Sequence, residues 1–362
     1  MRALHIITGL GIGGAERQLR ALLRRLPLAC DVVTLTNPGP VARQLAADGV
    51  RVTHLGMGGN RDVGALPRLV RLIRRGRYDV VHTHLYRACV YGRIAARLAG
   101  VRAVVATEHS LGAHRIEGRP LTPGTRALYL ATERLGAATV AVSATVAGRL
   151  LAWGVPERRI HLVPNGIEPD RFRFDPAARD AARAALGVPR GAVVVGGMGR
   201  LVPGKRFDAL VRAAARLPDD VWVVLAGEGP ERAALRVLSA RLGLAGRVVL
   251  AGGCPDVPGL LSALDVFVSP STEETFGLAV LEALAAGLPV LHASAPVVEE
   301  LPRSQAPGAR RVGAGPAELA DALTAELALG ARRLPVPAAV ARYGIDRSVD
   351  RLMNVYEGVC RR

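Results

Sequence analysis

Val163-Pro164-Asn165-Gly166-Ile167 divides the chain. Pro, Asn and Gly in succession end one element and set a turn, and the pattern of elements restarts behind them. Ahead of the turn, apolar runs at 3–8, 31–36, 51–55, 78–82, 103–107 and 139–142 alternate with helical periodicity such as 15–26, 65–75, 87–99 and 144–152. Behind it, runs near 192–197, 221–226, 247–251, 265–268 and 288–292 alternate with helical patterns near 206–217, 231–242 and 278–286. This alternation predicts parallel sheets wound with helices on both faces. The expected fold is α/β: two Rossmann-like doubly wound domains, 1–163 and 164–342, facing across a cleft. Such domains bind ligands at the carboxyl ends of their strands. A last helical stretch, 343–362, is expected to pack back on the first domain.

At 362 residues, half of them hydrophobic, the chain can bury two cores. The four cysteines, Cys30, Cys89, Cys254 and Cys360, form no C-x-x-C pair, which argues against both a disulfide framework and a zinc site. Arg2 to Thr8 is too short for a signal peptide, and no apolar stretch approaches the roughly 20 residues of a membrane span. A cytoplasmic protein is expected. Residues 1–163 hold 24 arginines against 9 acids, a net of +15, whereas the remainder carries only +2 of the total +17. That asymmetry implies an anionic partner for the first half: a membrane surface, a phosphorylated acceptor or nucleic acid. Arg20, Arg24 and Arg25 stand beside Leu19, Leu22, Leu23 and Leu26, and Arg68, Arg71, Arg74 and Arg75 beside Leu69, Val70, Leu72 and Ile73. Basic amphipathic helices of this kind suit the inner face of a membrane, although an ordinary helix with its apolar face in the core has the same pattern.

Three motifs point elsewhere. Gly9-Leu-Gly11-Ile-Gly13-Gly14 matches a dinucleotide fingerprint, but Thr34, Thr36 and Asn37 stand where the ribose-binding acid belongs. Gly199 to Gly204-Lys205 resembles a triphosphate loop, yet Arg206 replaces the Ser or Thr that would hold magnesium. His82-Thr-His84 puts two imidazoles on one face near a strand's end, but no nearby carboxylate or Cys cluster completes a metal site. Histidines lining the cleft or serving the structure are expected there.

Of forty-eight basic side chains only one is a lysine, Lys205. A compact ammonium differs from a planar guanidinium, so a lysine that survives this arginine bias marks a place where Arg would not fit. It follows a glycine turn behind the run Val193 to Val195, where a phosphate could be held. Further on, Ser269-Pro-Ser-Thr-Glu-Glu274-Thr-Phe-Gly277-Leu-Ala-Val-Leu-Glu282 follows an apolar strand. Pro270 and Gly277 bracket a loop, and the helix behind it offers free N–H groups to an anion. Glu282 sits among Val280, Leu281, Ala283 and Leu284. A carboxylate so placed needs hydrogen-bond donors: a ribose diol would supply two, while an exposed face or an internal Arg would also serve.

These segments together resemble the retaining glycosyltransferases of the GT-B fold, specifically family four, over nearly the whole chain. The marks are Gly-Gly-Ala-Glu-Arg (13–17), Val-His-Thr-His (81–84), Thr-Glu-His109-Ser, Val-Pro-Asn-Gly-Ile (163–167), Gly-Arg200-Leu-Val-Pro-Gly-Lys205, Leu-Ala-Gly-Glu-Gly-Pro (225–230) and the pair Glu274 and Glu282 with seven residues between. The resemblance implies an acceptor-binding first domain and a donor-binding second. Arg200 and Lys205 would hold the donor diphosphate and stabilise charge as it leaves. Backbone groups at Phe276, Gly277 and Leu278 would support phosphates and sugar, Glu274 would take sugar hydroxyls, and Glu282 the nucleotide ribose. His109 and the Gly13-Gly14 loop would meet sugar and acceptor from the first domain. The sequence departs from the family at Ala293-Ser-Ala-Pro-Val-Val-Glu-Glu300, where a Gly-Gly-x-Pro-Glu-like turn is usual.

The chain has no Asp-x-Asp motif, so no metal and no cofactor are expected; Arg, Lys and a helix dipole take the metal's place. The nucleotide-diphosphate sugar, a UDP-sugar for preference, is a substrate. The acceptor is expected to be anionic or lipid-linked, and no specific nucleic acid is expected. A phosphorylase or synthase of sugar nucleotides on the same fold, or a cationic nucleic-acid-binding module, remain the alternatives.

Overall fold

The structure is a computed structural model that describes residues 1–59, 62–117 and 119–361. The chain forms two compact units: residues 1–166 with the stretch from Ile345 onward, and Ile167–Gly344. The first boundary thus falls after Gly166 rather than Val163, and the last helix begins at Ile345 rather than 343. Arg362, in the stretch expected to form that helix, lies outside the described residues.

In unit 1, strands β1 (Arg2–Gly9), β2 (Ala29–Asn37), β3 (Arg51–His54), β4 (Val80–His84) and β5 (Ala103–Glu108) precede a short antiparallel hairpin, β6 (Arg115–Ile116) and β7 (Arg119–Pro120). Strands β8 (Ala138–Ala141) and β9 (Ile160–Leu162) follow. Seven of these pair in parallel in the order β3-β2-β1-β4-β5-β8-β9. The inner strands read as continuous apolar runs because helices cover both faces. Strand β4 lies two residues beyond the run 78–82, because Tyr78 and Asp79 are held just ahead of the strand's start. The Tyr78 hydroxyl donates to Asp31 at 2.7 Å, and Asp79 accepts the backbone N–H of Arg2 at 2.7 Å. His82 and His84 consequently stand inside the sheet, fully buried, and line no cleft.

Helix Gly14–Leu23 buries Leu19, Leu22 and Leu23, and helix Ala65–Gly76 buries Ala65, Leu69 and Ile73. Their apolar stripes therefore belong to the core and are not available for insertion into lipid. What faces water is the charge: Arg68, Arg71, Arg74 and Arg75 are exposed, while Arg20 donates to Asp48 at 2.6 Å. Helix Ile345–Cys360 completes this core, where Val349, Leu352, Val355, Tyr356 and Val359 pack with Ile7, Leu19, Val105 and Val140.

Unit 2 holds β10 (Val193–Met198), β11 (Val221–Ala226), β12 (Val248–Gly252), β13 (Val266–Ser269), β14 (Val290–His292) and β15 (Ala309–Arg311). They are parallel, in the order β12-β11-β10-β13-β14-β15. Leu210, Leu319 and Leu323 from two covering helices meet Val195, Val223 and Val268 of the sheet. Ahead of β13, the buried Asp265 accepts Arg179 at 2.7 Å, Arg183 at 2.8 Å and the N–H of Val194 at 2.7 Å. This ties the helix Pro176–Ala185 to the sheet. Among the described residues no helix is long and apolar enough to cross a membrane.

Candidate functional site

In unit 2 the strand order reverses between β10 and β13, the place where open α/β sheets form ligand crevices at their carboxyl ends. Two loops leave there. The loop after β10 carries Arg200, which is exposed and forms no ion pair with any described residue. Lys205 ends a 3₁₀ turn, Pro203–Lys205, and its ammonium pairs with the carboxylate of Glu274 from the loop after β13. The lysine stem runs over Gly199: a Cβ added there would stand 3.5 Å from Lys205 Cε.

Two supports for these loops escaped the sequence reading as supports. The buried Ser271 hydroxyl lies 3.2 Å from the Gly204 carbonyl and 3.0 Å from that of Glu273, so it joins the two loops. In the Leu-Ala-Gly-Glu-Gly-Pro segment, a Cβ on Gly227 would collide with the Gly199 carbonyl, and one on Gly229 with that of Leu201. Glycine is required because this backbone lies directly against the loop that carries Arg200. The Leu201 N–H donates to the Glu228 carbonyl at 2.9 Å, and the Glu231 N–H to the Leu201 carbonyl at 3.0 Å.

Helix Leu278–Ala285 starts behind Gly277, whose φ of +100° only glycine adopts readily. Its first N–H groups have no acceptor within the helix and carry the positive end of its dipole. The Phe276 ring is buried edge-on against Tyr343 at 5.3 Å. The Val297 N–H donates to the Phe276 carbonyl at 2.8 Å. The segment that departs from the family pattern, 293–300, thus braces this turn. Glu282 is 6% exposed, which removes the exposed-face reading of its carboxylate.

In unit 1 the order reverses between β1 and β4. The loop after β1 ends at Gly13, the N-cap of the helix that Gly14 begins, and a Cβ on Gly13 would strike the Glu16 carboxylate. His109 follows β5 and is 7% exposed. Its Nε2 lies 3.0 Å from His84 Nδ1, and His84 Nε2 lies 3.1 Å from His5 Nδ1. His82 Nδ1 meets the Tyr356 hydroxyl and its Nε2 the Thr107 hydroxyl, both at 2.6 Å. Burial lowers the pKa of His5 to about 3 and of His109 to about 4. Burial and neighbouring imidazoles hold His82 and His84 well below their usual value, so all four rings are neutral at pH 7. Ligand atoms of His5, His82 and His84 lie within 4.8 Å of one another, close enough to share a metal ion. Both nitrogens of His82 are already held by hydroxyls, however, so the cluster is a hydrogen-bonded array. Beside it, burial pushes the Glu108 carboxyl up to about 7, against the opposing pull of the buried Arg93.

Residues 12–171 match Glycosyltransferase Family 4, and residues 178–332 match Glycosyl transferases group 1. The chain is similar throughout to Anabaena HepE solved with UDP and glucose (TM-score 0.87, 22% identity, 99% of this chain and 100% of that one). That likeness shows the fold, the two Rossmann-like domains of GT-B. The chain is 34% identical over 345 residues to D-inositol 3-phosphate glycosyltransferase 1 of Catenulispora acidiphila, covering 85% of this chain and 81% of the relative. It is also 31% identical over 243 residues to the Escherichia coli UDP-Gal:alpha-D-GlcNAc-diphosphoundecaprenol alpha-1,3-galactosyltransferase, over 64% of this chain and 62% of the relative. The chain belongs to glycosyltransferase family 4.

Proposed function

We propose that this glycosyltransferase moves a sugar from a nucleotide-diphosphate sugar, UDP-sugar by preference, to an acceptor hydroxyl with retention of configuration and without a metal. The observation that carries the reading is the meeting of Lys205 with Glu274 beside the start of the helix that buries Glu282. A diphosphate placed at that helix start meets Arg200, Lys205 and the N–H groups of Gly277 and Leu278. Negative charge builds on the diphosphate as the glycosidic bond breaks, and fixed cations there lower the barrier more than they tighten the ground state. Glu274 turns from Lys205 to the sugar hydroxyls, and Glu282 takes the ribose diol. With no residue assigned as covalent nucleophile, the acceptor attacks from the face the leaving group departs, its proton passing to the leaving phosphate. His109 and the Gly13-Gly14 loop serve sugar and acceptor.

The donor of the E. coli relative, a UDP-sugar, supports the choice of base. Its lipid diphosphate acceptor and the inositol phosphate of the Catenulispora relative support an acceptor that bears phosphate. So does the excess of +15 in residues 1–163. An anionic membrane surface would hold a lipid-linked acceptor through the exposed arginines of helix Ala65–Gly76. Charge alone would carry that attachment, so it should vanish at high salt.

The test incubates the protein with UDP-, GDP-, ADP- and TDP-sugars, with and without EDTA, against polyol phosphates and lipid diphosphate sugars, and reads the product anomer by NMR. A retained anomer formed from a UDP-sugar in EDTA supports the reading. An inverted product, an EDTA-sensitive reaction, or inorganic phosphate serving as acceptor sinks it. Loss of sedimentation with anionic vesicles at low salt would remove the membrane alone.

A further inference from the structure

We propose that a cavity at the amino ends of β4 and β5 is a second binding site of unit 1, made for a terminal phosphate group that Arg74, Arg77 and Arg102 hold. It stands at the opposite end of the sheet from His84 and His109, which lie at the carboxyl ends of the same two strands.

The cavity measures about 550 Å³, the size of a small-molecule site. Ile73 and Val359, both buried, form part of its apolar side. Three arginines line it against a single acid, Asp79. Each arginine has its own support: Arg74 in the last turn of helix Ala65–Gly76, Arg77 directly behind that helix, and Arg102 just ahead of β5. Asp79 accepts the backbone N–H of Arg2 at 2.7 Å and forms an ion pair with none of the three.

Arginines gather at helix C-termini because they complement the dipole there. Arg74 does so, donating at 2.7 Å to the carbonyl of Leu98, which ends helix Tyr86–Leu98. Arg77 and Arg102 take no such carbonyl. Their side chains are exposed and form no hydrogen bond or ion pair with any described residue. Two cations left without a counter-charge at one cavity attract an anion. Arg77 also holds φ +49° and ψ +53°, a left-handed backbone that glycine adopts at less cost. The glycine of this turn stands one residue earlier, because a Cβ on Gly76 would lie 2.0 Å from the Tyr78 ring. An arginine kept in that conformation points to a use for its side chain.

Guanidinium forks match phosphate oxygens. A terminal phosphate offers three free oxygens and a charge of about −1.5 to −2, whereas a diester offers fewer oxygens and a single charge. Three arginines against one acid fit the terminal group. A soluble phosphate monoester and a phosphatidic acid headgroup both carry it.

The experiment uses the full chain with saturating UDP, so that the donor site is filled. Glycerol 3-phosphate is one probe; vesicles containing phosphatidic acid, or phosphatidylglycerol at matched surface charge, are the other. The readout is the alkylation rate of Cys360, an exposed thiol that lines the cavity, followed by peptide mass spectrometry. Protection by glycerol 3-phosphate is expected if the ligand is soluble. Protection by phosphatidic acid vesicles alone is expected if it is a lipid headgroup. Arg77→Gly and Arg102→Ala should each weaken the protecting probe about tenfold, the loss of one charge-assisted bond, and together abolish its effect. Arg77→Gly should melt no lower than wild type, because glycine suits that backbone, so its loss of binding is not a loss of fold. Protection by neither probe, equal protection by the two kinds of vesicle, or protection that both variants leave unchanged overturns the proposal.

Discussion

Lys205→Met removes the one ammonium side chain and keeps an unbranched apolar stem over Gly199. In the free protein the Lys205 side chain is 26% exposed and that of its partner Glu274 14%, so water still reaches the pair. Its loss should cost about 1 kcal/mol of stability. Binding is affected more. A hydrogen bond from an ammonium to a phosphate is worth about 1.5–3 kcal/mol, so the variant should bind UDP roughly 10- to 150-fold more weakly. Calorimetric titration with UDP and with uridine, on wild type and variant, isolates the phosphate term, because uridine lacks the groups that Lys205 is assigned. The difference between the two proteins should disappear with uridine. Lys205→Arg keeps the charge but brings a wider head across Gly199, and should recover only part of the affinity. An unchanged dissociation constant for UDP, or an equal loss for uridine, would refute the assignment of Lys205 to the diphosphate.

Three further outcomes follow from particular residues. Glu282→Leu should leave the fold as stable or more so, since an apolar residue suits its surroundings. It should erase the preference of the wild type for UDP over 2′-deoxy-UDP; a preference that survives would move the ribose elsewhere. Asp265→Asn should cost about 3–5 kcal/mol in urea unfolding, because Arg179 and Arg183 lose their buried counter-charge; a change below about 1 kcal/mol would mean that water already compensates them. Stability should fall as the pH drops from about 6.5 to about 4. His5, His82, His84, His109 and His292 all have lowered pKa values in the fold, so they charge first on unfolding. Each adds about 1.4 kcal/mol per pH unit while only the unfolded chain is protonated. Glu108, raised to about 7, opposes them across its own range, but it is one group against five; a melting temperature that rose on acidification would show these rings to be solvated.

Alternation of apolar runs sufficed for the inner strands because each is buried on both faces and cannot afford polar residues. Two of the four edge strands escaped it. Ile160–Leu162 and Ala309–Arg311 are three residues long, and the second carries two arginines at the sheet's edge. That Lys205 and Glu274 belong together was foreshadowed because the chain holds a single lysine amid its arginines and sets it behind a glycine turn. His5 was not, since one histidine in an apolar run gives no hint that its neighbour in the sheet is His82. Ser271 was silent for a similar reason: its partner carbonyl lies 67 residues away. The basic helices could not be resolved from pattern at all, because a stripe facing a core and one facing lipid have the same period.

Unit 1 is built from both ends of the chain, with Ile345–Cys360 closing the core that β1 begins. On the ribosome that core stays open while all of unit 2 is made. At about 5–20 residues per second, the interval is on the order of 10–40 s. Tyr356, which anchors His82, is made after unit 2. Unit 2 can thus be finished first, and His82 gains its Tyr356 partner only after the helix Ile345–Cys360 has been made. A chain cut short within its final helix would keep its second unit folded and present an open apolar groove on its first, the kind of surface that chaperones and proteases recognise.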